Sequence, residues 1–124
     1  MTVRFIWFAL SLAWSLFIVY AMTSQSGANG IIDIKGIDKI YHIISYSLFV
    51  VFWAKVLNYH YPNIKAARIA FYGSIAFGLT LEYAQKIVFT WRSFEVLDIL
   101  ANIIGSIIGL IAFYKFLNNT RYVK

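Results

Sequence analysis

Apolar residues run along this chain in four long blocks separated by three short polar stretches. The blocks cover approximately residues 5–22, 38–57, 66–85 and 97–116. Crossing about 30 Å of hydrocarbon at about 1.5 Å per residue takes about 20 mainly apolar residues, so each block is long enough to span a bilayer as a helix. The first block carries no charge, and the other three are charged only near their ends. Residues 23–37 are polar and Gly-rich and read as a loop. Residues 58–65 contain Pro62, the single proline, and read as a turn. Residues 86–96 mix Phe89, Trp91 and Phe94 with Arg92 and Glu95, a combination suited to the headgroup boundary, where a ring is half wet. No internal repeat is visible. The pattern predicts an all-α fold: a polytopic membrane protein built as one domain over residues 1–124, an antiparallel four-transmembrane-helix bundle.

Composition agrees. Of 124 residues, 61% are hydrophobic and 13% charged, with a mean hydropathy of +0.72. A soluble domain carries about 45–50% apolar and about 25% charged residues. Disorder needs low hydrophobicity and high net charge. At this length a soluble core leaves much of its surface wet, so lipid is the solvent that accommodates so much apolar surface. Cysteine is absent, which removes disulfides, thiolate metal sites and thiol nucleophiles. Arg4 ahead of the first block resembles a signal peptide loosely. The 18-residue apolar run exceeds a usual h-region of about 7–15, and no clean small-x-small cleavage site follows, so the block is read as a retained span.

Charge sets an expected orientation. With four spans, both termini and the middle turn share one side, which holds seven basic residues: Arg4, Lys55, Lys65, Arg68, Lys115, Arg121 and Lys124. The other side holds Lys35, Lys39, Lys86 and Arg92 together with all five acids, Asp33, Asp38, Glu82, Glu95 and Asp98. The positive-inside bias places the termini in the cytoplasm. Topology then accounts for the net charge of +6, and no nucleic-acid partner is needed.

Polar residues inside spans carry the chemical information. They are costly in lipid and face a bundle interior or a wet cavity. In the second block Asp38, His42 and Tyr46 recur at i, i+4 and i+8 on one helical face, with Lys39 beside them. The bland alternative is an N-terminal carboxylate, an interfacial Lys and a snorkelling Tyr; His42, a turn deeper, fits it less well. In the third block Ala70, Ser74, Gly78 and Glu82 recur every four residues, followed by Gln85. Small residues let helices approach, so Glu82 continues a packing face. The alternative for Glu82 is an intrahelical pair with Lys86. In the fourth, Glu95, Asp98, Asn102, Gly105 and Gly109 share one side, the last two forming a GxxxG packing motif. Arg92 precedes it, within reach of Asp98 or Glu95. All three stripes lie within about two turns of the same boundary. We therefore expect one polar pocket in the outer half of the bundle. The competing reading is a structural hydrogen-bond network that fixes helix register. His60 reads as an interfacial loop residue.

These blocks together resemble the VanZ-like family of small membrane proteins. The resemblance rests on Asp38-Lys39-x-x-His42-x-x-x-Tyr46, Glu82-x-x-Gln85, and Arg92 followed by Asp98-x-x-x-Asn102-x-x-Gly105, with Ser24-Gln25-Ser26 after the first span. It implies a four-span bundle in the bacterial cytoplasmic membrane and, for the founding member, an association with resistance to the glycopeptide teicoplanin. It supplies no reaction.

Three functions fit such a pocket. The first is binding of a polar head group, from a membrane lipid or a lipid-linked envelope precursor. Lys39 and Arg92 would contact phosphate or carboxylate, Asp38, Glu82 and Asp98 would orient them, and Trp91 and Phe94 would stack at the boundary. The second is an intramembrane enzyme with His42 as acid or base. The third is a proton- or ion-coupled carrier, for which Ser11, Ser15, Ser74 and Ser106 offer thin support in the inner halves. Binding is the reading adopted here, because charge complementarity is clearer than any activated nucleophile. It calls for no cofactor. No metal is expected either, since the chain has no His-x-x-x-His or Glu-x-x-His pair.

Overall fold

The computed structural model describes residues 2–23, 37–88 and 96–117. They form α1 (Val3–Thr23), α2 (Ile37–Leu57), α3 (Asn63–Val88) and α4 (Val96–Ala112). Each predicted block matches its helix to within a turn, and all four helices are long and apolar enough to cross a membrane. The fourth block departs in one respect: at Phe113 the α-helical pattern gives way to a π-helical turn, Phe113–Leu117. Hydropathy reports that a segment is apolar and is blind to this change of hydrogen-bond register.

Local chemistry sets the ends. The Thr2 hydroxyl accepts a bond from the Phe5 amide at 3.2 Å, capping α1. Between α2 and α3 the His60 and Tyr61 amides both donate to the Leu57 carbonyl at 2.9 Å, closing the turn. Pro62 stands just before α3, where its missing N–H is no loss, and its carbonyl accepts from the Ala66 amide.

The bundle runs up, down, up, down. Its centre is α2, which packs against α1, α3 and α4; α3 and α4 also pack together. Helix α1 lies along α2, touches α3 lightly and, among the described residues, does not reach α4. Two indoles fasten it: Trp14 donates to the Ser45 carbonyl at 2.9 Å, and Trp53 donates to the Ser15 hydroxyl at 3.0 Å. Helices α2 and α4 run parallel in close contact. A Cβ on Gly105 would strike the Ile43 backbone, with Ile43 Cα only 2.9 Å away, and one on Gly109 would meet Val50 Cβ at 2.9 Å. The GxxxG spacing thus packs α4 on α2, a partner that the motif alone does not specify.

On α4 the buried face is small and polar, and the exposed face is large and apolar. Helix α4 buries Asp98, Ala101, Asn102, Gly105, Ser106 and Gly109 while exposing Leu97, Leu100, Ile104, Ile108 and Ile111. In water this would be inside out. In lipid, burial of apolar groups drives nothing, and close approach of small residues with interhelical hydrogen bonds holds helices together. The chain is a multi-pass membrane protein.

Apolar packing concentrates away from the polar ends. Val50, Ala54, Ala67, Ala70 and Phe113 form one buried cluster, in the half nearer the turn between α2 and α3. Between α1, α2 and α3, Ile18, Tyr46 and Phe49 form another, with Phe49 and Phe77 stacked at 4.9 Å. At the turn end, cations lie on rings: Arg4 over Tyr59, Lys55 over Trp7 and Lys65 over Tyr61. His60 is exposed in that turn, as a loop residue would be.

Candidate functional site

Up-down topology brings the starts of α2 and α4 and the end of α3 to one end of the bundle. Each contributes polar residues from the face that also carries its packing residues. On α2, Lys39 sits in the first turn, His42 follows, and Tyr46 lies one turn deeper. On α3, Glu82 and Gln85 follow the small residues Ser74 and Gly78. On α4, Asp98 occupies the first turn, where the helix dipole favours a carboxylate, and Asn102 lies one turn in. His42, Glu82, Gln85, Asp98 and Asn102 are all at least nine-tenths buried, and Tyr46 is 1% exposed.

Asp98 is the hub. Its Oδ1 accepts from the Lys39 ammonium at 2.5 Å, and its Oδ2 faces His42 Nε2 at 3.6 Å. The Asp98 carboxylate is 6% exposed and the Lys39 side chain 25%, so the pair reaches from the interior to the rim. Glu82 completes the layer: one ligand-type atom from each of His42, Glu82 and Asp98 lies within 4.8 Å of the other two. Two carboxylates and an imidazole in so small a volume form a site of high electrostatic stakes, because the desolvation of each charge must be offset by its neighbours.

Below this layer the His42 ring meets Tyr46 edge-on at 6.5 Å. Gly78 makes room for what lies there: a Cβ at that position would sit 2.7 Å from Asn102 Nδ2 and 3.3 Å from Tyr46 Cε1. Asn102 Oδ1 is buried with no hydrogen-bond partner. Deeper still, the Ser106 hydroxyl donates to the Asn102 carbonyl at 2.8 Å, and Ser74 and Ser106 share a hydroxyl–hydroxyl bond of 2.6 Å. The polar column then meets the buried apolar cluster of Val50, Ala54, Ala67, Ala70 and Phe113.

The structure thus brings Lys39, His42, Tyr46, Glu82, Gln85, Asp98 and Asn102 to one end of the bundle, with Ser74, Gly78, Gly105 and Gly109 in the packed seams beneath. Tyr46 is fully interior, so it does not snorkel. Arg92, Trp91, Phe94, Glu95 and the Ser24-Gln25-Ser26 stretch lie outside the described residues, as does the side chain of Asp38. The Lys39–Asp98 pair and the trio at positions 42, 82 and 98 join residues of different helices, which no spacing rule within a single helix specifies. The expected reach of Arg92 to Asp98 or Glu95 lies outside the described residues. Compared with known proteins, the chain matches no family model, no curated protein and no solved structure.

Proposed function

We propose that this is a VanZ-like multi-pass protein of the bacterial cytoplasmic membrane that binds a polar head group, of a membrane lipid or a lipid-linked envelope precursor, in a pocket facing the outer leaflet. One observation carries the reading: buried His42, Glu82 and Asp98 with Lys39 at their rim, at one end of a bundle that holds an apolar cluster beneath them. Charged groups inside a membrane bundle are costly, and they ordinarily mark substrate paths or ligand sites. Lys39 is the member at the rim, placed to meet a phosphate. The termini and the turn between α2 and α3 lie in the cytoplasm in this reading, because seven of the eleven basic residues sit on that side.

Native mass spectrometry in detergent tests the reading, with phosphatidylglycerol, phosphatidylethanolamine and undecaprenyl phosphate titrated in turn. One of the three should bind to the wild-type chain at stoichiometric levels and bind weakly to Lys39→Ala and Glu82→Gln. Equal retention by all three chains, or no retention by any, would reject it.

A second reading rests on the position of His42 beside Asp98. An imidazole with a carboxylate behind it is the arrangement of a general base, and the nucleophile would be water, because Ser74 and Ser106, deeper in the column, are bonded to each other. Hydrolysis of a labelled lipid-linked substrate by the wild type and not by His42→Ala would favour this reading over simple binding.

A further inference from the structure

We propose that His42, Glu82 and Asp98 form a divalent-cation site for an ion of the Zn²⁺ or Mn²⁺ class. The inference goes beyond head-group binding and stands whether or not a lipid binds.

The donor geometry points to it. Ligand atoms from the three residues lie within 4.8 Å of one another. Donors around a tetrahedral ion at about 2.0–2.2 Å are separated by about 3.3–3.6 Å, so the widest pair closes by up to about 1.5 Å, which a rotation of the carboxylate side chains covers. The 3.6 Å between His42 Nε2 and Asp98 Oδ2 is too long for a hydrogen bond and is the spacing of two donors on a shared ion.

Donor chemistry narrows the ion. One imidazole with two carboxylates suits borderline first-row cations, whereas Ca²⁺ takes about six to eight oxygens and Mg²⁺ prefers carboxylates and water. Three protein ligands leave a position open, as sites that bind water or substrate do. The surroundings also fit. Lys39 holds the second oxygen of Asp98, the kind of outer contact that fixes a ligating carboxylate. Asn102, 4% exposed, lies one turn below on the Asp98 face of α4, and its Oδ1 is an orphaned buried acceptor, available to a water on the ion or to the ion itself.

Binding also changes the sign of the layer. Lys39, Glu82 and Asp98 with a neutral His42 sum to a single negative charge; a divalent ion makes that a single positive one. An anionic head group would then meet attraction.

The test uses tag-free protein in detergent, stripped with chelator and dialysed against Zn²⁺ or Mn²⁺, with bound metal counted by mass spectrometry. About one ion per folded chain is expected. His42→Gln and Glu82→Gln should weaken binding about tenfold or more with helicity retained by circular dichroism. His60→Gln, at the exposed turn, should leave it unchanged. A folded wild-type chain that holds no ion overturns the proposal, as does unaltered affinity in Glu82→Gln. If either variant loses helicity, the visible spectrum of the Co²⁺-loaded wild type decides. Intense bands of four- or five-coordinate Co²⁺ support the site, and the weak spectrum of aqueous Co²⁺ overturns it.

Discussion

Asp98 bridges two members of the polar layer, taking the Lys39 ammonium on one oxygen and facing His42 with the other. Asp98→Asn keeps the shape and removes the charge. The Lys39 ammonium, only partly exposed, then faces a neutral amide. We expect a loss of about 1–3 kcal/mol, measured by unfolding in detergent. Adding Lys39→Met should recover part of it, because removal of both partners leaves no stranded charge; additive losses would show that the pair does not couple. The same residues show what is legible at this scale. His42 and Tyr46 were readable as one face because a helix repeats that face every four residues. The pairing of Asp98 with Lys39 was not, since Lys39 is 59 positions away and nothing local selects it. Asn102 was readable as inward-facing, but not as a buried acceptor without a partner.

Among the elements, the seam between α2 and α4 is the tightest contact that the glycines show. Gly105→Ala would drive a methyl into the Ile43 backbone, which cannot step aside as a flexible side chain can. Overpacking of this kind costs about 1–3 kcal/mol. The expected outcome is a less stable bundle with the polar layer prised open, seen as a lower melting temperature and weaker lipid or metal retention. Gly73→Ala, on the same protein, is the control. Nothing lies within 4 Å of its Cβ position, and it is exposed on α3, so alanine's better helix propensity should leave stability equal or raise it by about 0.5–1 kcal/mol. Helix number and extent were legible because apolar runs of spanning length are rare outside membranes. Neighbour choice was less so. The sequence offered small-residue stripes on α3 and α4 but could not say that α2 would be central, with α1 fastened to it by two indole hydrogen bonds. The switch to a π turn at Phe113 has no sequence signal that we can identify.

For the molecule as a whole, the cysteine-free sequence offers a direct check of orientation. Single substitutions Thr2→Cys, His60→Cys and Asn29→Cys can each be exposed to a membrane-impermeant maleimide on intact cells. Asn29→Cys should be labelled, and Thr2→Cys and His60→Cys should react only after the membrane is opened. Labelling in the reverse pattern would turn the polar layer toward the cytoplasm and end the outer-leaflet reading, while leaving the fold and the metal site untouched. The pairing of the beginning of α2 with the beginning of α4 also bears on how the molecule is made. The chain emerges from its amino terminus, so Lys39 and His42 enter the bilayer before Asp98 has been synthesised. At about 5–20 residues per second the 59-residue gap amounts to about 3–12 s. For that interval the ammonium, the imidazole and then Glu82 are in the membrane without the Asp98 carboxylate, which arrives only with the last helix. A chain that stalls before α4 would therefore be an attractive target for membrane quality-control proteases, and pulse-labelled nascent chains halted at Thr90 should disappear faster than those halted at Lys115.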